Sequence, residues 1–324
     1  MNSTNTPYAD LTPDIILNAV ESLGFRCSGG LSALNSYENR VYQVGIEGDA
    51  PLIAKFYRPG RWIDAAIIEE HQFALELQSL EIPVIAPLVI HDQTLHASAG
   101  FRFALFPRKG GRALEVDNMA QLEQMGRLIG RMHAVGACRA FEYRIQLDVD
   151  TYGYQPFRFL MDNQFVPGAI QHNFAATAET VLQGVREQFA AQPHLPYIRL
   201  HGDCHAGNVL CQDQSFHIVD LDDCLMGPAV QDIWMMLSGS EQENKVQLKH
   251  ILDGYYEFYD FNMHELHLVE SLRALRMIHY AGWLAKRWED PAFPASFPWF
   301  NTPRYWESLL SGLREQAEII KRQE

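Results

Sequence analysis

The chain has 324 residues, 47% of them hydrophobic and 20% charged, which suits a globular protein of one large domain or two smaller ones. Its 26 lysines and arginines are outnumbered by 40 aspartates and glutamates, so the formal net charge is −14. Because nucleic-acid binding depends on clustered cations, this charge argues against a nucleic-acid partner. It would suit a cationic substrate, although acidic proteins are common.

Cysteine usage and hydropathy indicate the compartment. The five cysteines form no CxxC pair, which predicts a reducing environment rather than a disulfide framework. Residues 1–14 lack the basic start and apolar run of a signal peptide, and no stretch reaches the ~18 apolar residues that a membrane span needs. We therefore expect a cytoplasmic protein without a membrane partner.

The first third of the chain predicts a small antiparallel sheet. A short capped helix begins near Thr12 and ends at Gly24, and a second helix is predicted over 63–80. Two strands precede this second helix and three follow it. The predicted strands are 40–44, 51–57, 84–90, 94–96 and 101–106.

Residues 107–112 break this pattern and are the expected hinge, because helices dominate beyond them. The predicted fold is therefore α+β and bilobal, with a small sheet-rich N-lobe over 1–107, a larger helical C-lobe over 108–324 and a ligand cleft between them. One short strand pair, 209–211 with 217–219, interrupts the C-lobe helices. The predicted C-lobe helices are 119–135, 175–189, 231–237, 245–259, 264–289 and 305–323.

The most informative segment reads His-Gly-Asp-Cys-His-Ala-Gly-Asn over 201–208. It places Asp203 and Asn208 five residues apart in a loop, and a short apolar strand then leads to Asp220. Phosphoryl transfer needs a carboxylate that orients and deprotonates a hydroxyl, and oxygen ligands for magnesium. The spacing is typical of a kinase catalytic loop followed by a metal-binding aspartate.

Two residues of the N-lobe complete the pattern. Lys55 lies in a predicted strand, where a kinase places the lysine that contacts the ATP phosphates, and Glu70 on the following helix could pair with it. Glu69 is adjacent, but one residue turns a helix by ~100°, so only one of the two glutamates can face Lys55. Taken singly, Lys55 and Glu70 could be solvated surface charges, and Asp220 could belong to a solvated acidic turn.

Segment 201–208 resembles the signature loop of the aminoglycoside phosphotransferase and choline kinase-like superfamily, which has the protein-kinase fold. Further motifs, found over about residues 10 to 315, resemble bacterial stress response kinase A; they lie at 34–42, 55–59, 219–223 and 290–294. The site residues predict an ATP- and Mg²⁺-dependent phosphotransferase, and we expect a monomer. The resemblance implies a serine/threonine protein as the acceptor and a kinase that also phosphorylates itself. It implies Asp203 as the catalytic base and Asn208 and Asp220 as magnesium ligands, with Asp220 thereby part of the catalytic set.

The sequence departs from protein kinases at two motifs. Leu221-Asp222 replaces the Phe-Gly that would follow the metal-binding aspartate, and no APE motif follows, which argues against control by an activation loop. The glycine-rich loop is also missing. Residues 35–39 occupy its place, so Ser36 and nearby backbone N–H groups are expected to contact the phosphates, with adenine near 105–107.

Several residues around the site have a less specific expected role. His201 and His205 are expected to support the loop, and Asp232 to cap backbone groups and hold the catalytic loop. A set at helical spacing could line the substrate side or only pack between helices. It comprises Arg273, Arg276, His279, Tyr280 and Trp283.

Three other functions compete with a protein kinase. The first is a small-molecule kinase that acts on an amino alcohol, an aminoglycoside or a homoserine-like hydroxyl. The second is a pseudokinase scaffold, against which the intact set of Lys55, Asp203, Asn208 and Asp220 argues. The third is a zinc site formed by the histidines and cysteines near 201–211, whose spacing matches no common structural zinc site.

Overall fold

The computed structural model describes residues 6–192, 194–212 and 215–322. Residues 1–5 and 323–324, at the ends of the two predicted lobes, lie outside the described residues, as does the last position of the helix predicted over 305–323. Among the described residues, no helix is long and apolar enough to cross a membrane.

The N-lobe is a five-stranded antiparallel sheet, in the order β1-β2-β3-β5-β4, with helices α1 and α2. Helix α1 begins at Pro13, where the missing N–H costs nothing, and the hydroxyl of Thr12 accepts a hydrogen bond from the Ile15 N–H. Strand β3 pairs with β2 and β5, so Lys55 lies in the middle of the sheet. The N-lobe elements are α1 (Pro13–Glu21), β1 (Cys27–Ala33), β2 (Arg40–Ile46), β3 (Leu52–Phe56), α2 (Asp64–Ser79), β4 (His96–Ser98) and β5 (Phe101–Pro107).

The predicted order of strands is wrong in two places. Three strands precede α2 and two follow it, because β1, which contains Gly29 and Gly30, lacked a clear alternating pattern. The strand predicted over 84–90 is absent. Prolines interrupt this segment, and its backbone bonds are divided between the two lobes. Ile218 N–H of the C-lobe donates to Pro83 (2.8 Å) and Ile85 N–H donates to Ile218 (2.9 Å), whereas Leu88 N–H donates to Leu105 of β5 (2.7 Å).

The C-lobe is mainly helical, and most of its helices lie where the sequence predicts them. The helix predicted over 175–189 begins earlier, at Gly168, and the one predicted over 264–289 begins as a 3₁₀-helix at Met263–Leu268 before α8. Helices α4 and α9 and the short strands β6, β7 and β10 are additional. The C-lobe elements are β6 (Arg112–Ala113), α3 (Met119–Gly136), α4 (Gln155–Asp162), α5 (Gly168–Ala190), β7 (Ile198–Leu200), β8 (Val209–Gln212), β9 (Ser215–Ile218), β10 (Leu225–Gly227), α6 (Val230–Trp234), α7 (Glu241–Tyr255), α8 (Val269–Lys286), α9 (Ala292–Ser296) and α10 (Pro303–Arg322).

Helices α3 and α7 approach so closely that their backbones touch. A Cβ atom added at Gly126 of α3 would lie 2.0 Å from the carbonyl oxygen of Ile251, and one at Gly254 of α7 would lie 2.0 Å from that of Glu123. Only glycine leaves room for this contact. The contact also matters for the site, because α3 carries His133, whose ring reaches the catalytic region.

We expect Gly126→Ala to destabilise the protein despite the better helix propensity of alanine. The new methyl group would force the helices apart, and overpacking of this kind costs roughly 1–3 kcal/mol against a propensity gain of at most about 1 kcal/mol. Thermal melting of the purified variant measures the effect. The matched control is Gly168→Ala in α5, where the added Cβ would meet no atom within 4 Å; equal melting temperatures for the two variants would contradict the packing argument.

Candidate active site

One buried carboxylate, that of Asp232, holds the catalytic loop between β7 and β8 through hydrogen bonds to its backbone. Asp232 accepts hydrogen bonds from the backbone N–H groups of His201 (2.8 Å) and Gly202 (2.9 Å), and the ring of His133 lies 3.2 Å away. Asp232 is fully buried, so these contacts replace its lost hydration. It holds the loop as expected. The first backbone N–H group of α6 is capped by a different residue, because Val230 N–H donates to the carboxylate of Glu265 (2.9 Å).

The backbone turn at Gly202 is possible only for glycine. Its φ is +83°, and a Cβ atom there would lie 2.2 Å from the carbonyl oxygen of Asp223. Two parts of the site therefore pack directly on each other at this point, the loop that carries Asp203 and the segment that follows Asp220. A side chain at position 202 would separate them.

His201 connects the same two segments through its ring. Its Nε2 donates to the carbonyl oxygen of Val219 (2.9 Å), and its Nδ1 accepts from the backbone N–H of Asp203 (3.3 Å). These partners determine the tautomer, because a carbonyl can only accept and an N–H can only donate. His205 supports the loop in a similar way, since its Nδ1 accepts from the Gly207 N–H (2.9 Å).

Asp203 lies in the catalytic loop, and each of its two carboxylate oxygens has a side-chain nitrogen close to it. Arg276 of α8 is 3.1 Å from Oδ1, and His205 is 3.4 Å from Oδ2. Burial raises the pKa of Asp203, but the hydrogen bond from His205 and the charge of Arg276 outweigh burial and hold that pKa below its usual range. The carboxylate is therefore ionised at neutral pH.

Asn208 turns its amide nitrogen toward the loop. Nδ2 donates to the backbone carbonyl of Asp203 (3.0 Å), and no described residue donates to the side-chain oxygen of Asn208. That oxygen can serve as a ligand for a cation. Asp220 supplies a second oxygen donor, because its side chain is 56% exposed while its backbone adopts the left-handed conformation, at φ 62° and ψ 63°. For a non-glycine residue this conformation is strained, as often found at functional sites.

Lys55 is buried among three carboxylates from two lobes. Its Nζ atom lies 3.2 Å from oxygens of Glu70, Asp220 and Asp222. Burial lowers the pKa of Lys55, but these carboxylates raise it well above its usual value, so the ammonium group stays charged. Burial also raises the pKa of Glu70, to about 7, against the effect of Lys55.

Of the two adjacent glutamates of α2, only Glu70 faces Lys55. Glu69 points the other way and accepts backbone N–H groups of the C-lobe, from Tyr143 (2.8 Å) and Arg144 (3.1 Å). Neighbouring residues of a helix point in directions about 100° apart, so Glu70 can contact Lys55 while Glu69 joins α2 to the C-lobe.

Asp222 is a site residue that sequence reasoning missed. A solvated acidic turn was one alternative for the aspartates at 220–223. For Asp222 that alternative is wrong, because the residue is only 3% exposed. It forms ion pairs with Lys55 and with Arg61 of the turn after β3. Burial raises the pKa of Asp222, but the charges of Arg61 and Lys55 hold it below its usual range. No sequence signal separated Asp222 from its neighbours, because the pairing joins distant segments.

The loop that replaces a glycine-rich loop is closed by its own side chains. The hydroxyl of Ser36 donates to the Asn39 carbonyl (3.1 Å), and the Asn39 side chain accepts from the Arg58 N–H (3.1 Å). The loop also contacts the C-lobe. Glu38 accepts from the indole N–H of Trp283 in α8 (2.7 Å), and the Tyr37 ring lies 4.8 Å from that of Phe297.

A cleft of about 710 Å³ lies between the lobes and brings together all the predicted site residues. Phe106 and Pro107 of the linker border it on one side, and Arg276 and Trp283 of α8 on the other. The predicted site residues that line the cleft are Ser36, Lys55, Glu70, Asp203, Asn208 and Asp220.

Nothing in this geometry supports the zinc alternative. Among the described ranges, no three histidine, cysteine, aspartate or glutamate side chains are placed to hold a metal ion together. Cys204, beside Asp203, is 1% exposed, and burial raises the pKa of its thiol well above the usual value. It is therefore a packed, uncharged side chain rather than a reactive thiolate.

Comparison with known proteins agrees with this site. Residues 30–269 match the phosphotransferase enzyme family. The chain is 42% identical over 325 residues to stress response kinase A of Escherichia coli K12, covering 99% of this chain and 97% of the relative. It is also 42% identical over 320 residues to the serine/threonine protein kinase RdoA of Salmonella typhimurium, with the same coverage. The chain belongs to the phosphotransferase enzyme family, in its stress response kinase A branch. It is an ATP-dependent kinase.

Solved structures confirm the protein-kinase-like fold. Amicoumacin kinase hAmiN, in complex with AMP-PNP and Ca²⁺, superposes with a TM-score of 0.71 at 19% identity, over 93% of this chain and 92% of that one. The microcompartment-associated aminopropanol kinase gives a TM-score of 0.68 at 16% identity, over 96% and 97%. At these identities the similarity concerns the fold alone.

We expect Arg276→Met to raise the pKa of the Asp203 carboxyl group. The lost positive charge would no longer stabilise the carboxylate. Titration of the carboxyl carbon-13 chemical shift of Asp203 by NMR measures this pKa. The control is Arg273→Met on the same helix, since Arg273 pairs with Glu270 (3.7 Å) instead. If the Asp203 pKa of Arg276→Met equals that of the wild type, Arg276 does not control this ionisation.

Proposed function

We propose that the protein transfers the terminal phosphoryl group of Mg²⁺-ATP to a serine or threonine hydroxyl of a protein. The observation that carries the proposal is the convergence of Lys55, Asp203, Asn208 and Asp220 on one interlobe cleft. The order of these residues is that of a kinase. The protein acceptor is supported by the full-length similarity to a relative named as a serine/threonine protein kinase.

The N-lobe would bind the nucleotide. Lys55 is charged and directed into the cleft, so it contacts the phosphates, and Glu70 positions it from α2. Ser36 and the backbone N–H groups of its loop cover the phosphates from above. Adenine lies against the linker at Phe106 and Pro107, which is where we place the boundary between the lobes.

Asn208 and Asp220 would hold the magnesium ion. Their donors are an amide oxygen and a carboxylate, the hard oxygen ligands that Mg²⁺ prefers, and Mg²⁺ commonly takes only one or two protein carboxylates beside the ATP phosphates. When bound, the ion neutralises charge on the triphosphate. The Asn208 amide is already held by its bond to the Asp203 carbonyl, and Asn208 lines the cleft.

Asp203 would orient the attacking hydroxyl and accept its proton. Because its pKa is lowered, Asp203 is a weak base, and it can remove a proton only late, when the hydroxyl oxygen already bonds to phosphorus. This suits phosphoryl transfer, in which positioning and electrostatics contribute more than early deprotonation. Its ion pair with Arg276 keeps the carboxylate directed at the acceptor side.

We expect Asp203→Ala to bind ATP normally and to lose phosphoryl transfer by a factor of roughly 10²–10⁴, the usual contribution of a positioned general base. Calorimetric titration with AMP-PNP and a radiolabel assay measure the two quantities separately. Asp253→Asn in α7, which changes a surface carboxylate paired with Lys249, serves as the control. Near-normal turnover of Asp203→Ala would refute its role.

Incubating the enzyme with γ-labelled ATP, a generic protein acceptor and a panel of amino alcohols identifies the acceptor class. We expect label in protein, including the enzyme itself, and none in the Asp203→Ala reaction. Label found only in small molecules would overturn the protein-kinase assignment and favour a metabolite kinase.

We expect Asp220→Asn to need a higher Mg²⁺ concentration for ATP binding, because the neutral amide is a weaker ligand than the carboxylate. Titration of ATP at several fixed Mg²⁺ concentrations measures this dependence. Asp253→Asn should follow the wild-type curve. If the Mg²⁺ dependence of Asp220→Asn is unchanged, Asp220 is not a ligand.

A further inference from the structure

A second pocket, of about 460 Å³, lies beside the nucleotide cleft, between the turn after β3 and helix α8. We call it the cationic pocket, because Arg58, Arg61, Lys286 and Arg287 line it while Asp223 is the one carboxylate among its described lining residues. The chain as a whole has a net charge of −14, so a pocket lined by four cations and one carboxylate is unusual in it.

The cationic pocket and the nucleotide cleft share a wall. Tyr152, Asp223, His279 and Trp283 line both of them, and the Tyr152 and His279 rings stack with centroids 4.1 Å apart. Helix α8 also supplies Arg276, which contacts Asp203. The pocket therefore adjoins the C-lobe side of the cleft, where an acceptor hydroxyl would meet Asp203.

The three arginines of the pocket all have carboxylate partners, and most of these carboxylates are shared, whereas Asp223 pairs with Arg61 alone. Glu38 lies within ion-pair distance of three arginines, at 3.6 Å from Arg58, 3.9 Å from Arg61 and 2.5 Å from Arg287. Asp290 likewise pairs with two arginines, Arg58 (2.9 Å) and Arg40 (3.7 Å). The other shared carboxylate, Asp222, divides its charge between Arg61 and Lys55.

Lys286 is the cation left over. No carboxylate of the described residues lies within 4.0 Å of its ammonium group, which instead faces the Phe159 ring at 5.6 Å. Burial and the charge of Arg287 lower the pKa of Lys286, and burial together with four surrounding cations lowers the pKa of His279 to about 3. An incoming anion would give the ammonium group of Lys286 the negative partner that it lacks among the described residues.

We propose that the cationic pocket binds an oxyanion of the acceptor, either a phosphate monoester or the carboxylates of an acidic segment, next to the hydroxyl that is phosphorylated. The term acceptor rests on the function proposed above, whereas anion binding does not. The volume falls in the range of small-ligand sites and accommodates a phosphoserine side chain or a pair of carboxylates. The same charges would repel the ammonium group of an amino alcohol.

Calorimetric titrations test the binding directly, with Mg²⁺ and AMP-PNP saturating the nucleotide cleft. The probes are inorganic phosphate, O-phosphoserine and an N-acetylated diglutamate amide, so that the phosphate and carboxylate sources are separated. We expect saturable binding of at least one probe. Lys286→Met should weaken that binding by about tenfold, the equivalent of one charge-assisted hydrogen bond.

Two further variants separate the charge of Lys286 from its size and from general effects of losing a lysine. Lys286→Arg retains the charge and should bind within about twofold of the wild type, which a merely steric role of Lys286 would not predict. Lys245→Met in α7 removes a remote surface lysine paired with Glu241 and should have no effect. Absence of saturable binding by the wild type, or equal binding by wild type and Lys286→Met, would overturn the proposal.

A matched pair of serine peptides, flanked by glutamates or by lysines, then tests the link to catalysis. We expect the wild type to favour the acidic peptide in kcat/KM by about tenfold, and Lys286→Met to lose that preference. A preference for the lysine peptide would overturn the assignment to the acceptor. Phosphorylation of neither peptide would contradict the protein-kinase function alone, and the titrations, which need no transfer, would still decide whether the pocket binds anions.

Discussion

The ammonium group of Lys55 is the contact on which the site depends. It lies 3.2 Å from carboxylates on helix α2 and on the segment that follows β9, so one charge joins the two lobes. Burying an ammonium group is costly unless its partners are close and numerous, and burying several carboxylates requires further cations in turn. Arg61 supplies one of them through Asp222. The relative position of Lys55 and Asp220 is therefore established by the protein itself, before any nucleotide binds.

The catalytic loop is rigid for a different reason, which is hydrogen bonding to buried groups. Asp232 accepts the two backbone N–H groups that precede Asp203, and His201 bonds on to the strand that leads to Asp220. Behind Asp232 stands His133 of α3, whose position follows from the backbone contact between α3 and α7. The position of the loop thus depends in part on the glycines between α3 and α7, which lie far from the site. Holding the loop in place matters because preorganised groups lower the free energy of the transition state.

Net charge describes this protein poorly. The surplus of 14 negative charges is a property of the whole chain, whereas four cations and one carboxylate line the cationic pocket beside α8. A charge interacts chiefly with partners within about a Debye length, roughly 10 Å, and buried groups interact most strongly. The composition would suit a cationic substrate, whereas the pocket that we propose for the acceptor presents a lysine, Lys286, that is unpaired among the described residues and would repel one.

The sequence by itself determined the fold class and the order of the site residues, since the motif around Asp203 and Asn208 and the placement of Lys55 and Asp220 depend on spacing within single elements. It named Glu70 as the partner of Lys55 but gave no reason to exclude Glu69. It could not recognise the burial of Asp222, or detect that the segment over 84–90 divides its backbone bonds between the lobes instead of forming a strand. Those outcomes were decided by the tertiary structure. The physical reason is that periodicity and turn chemistry are local, whereas an ion pair such as that of Arg61 with Asp222 joins residues 161 positions apart and exists only when the lobes are assembled.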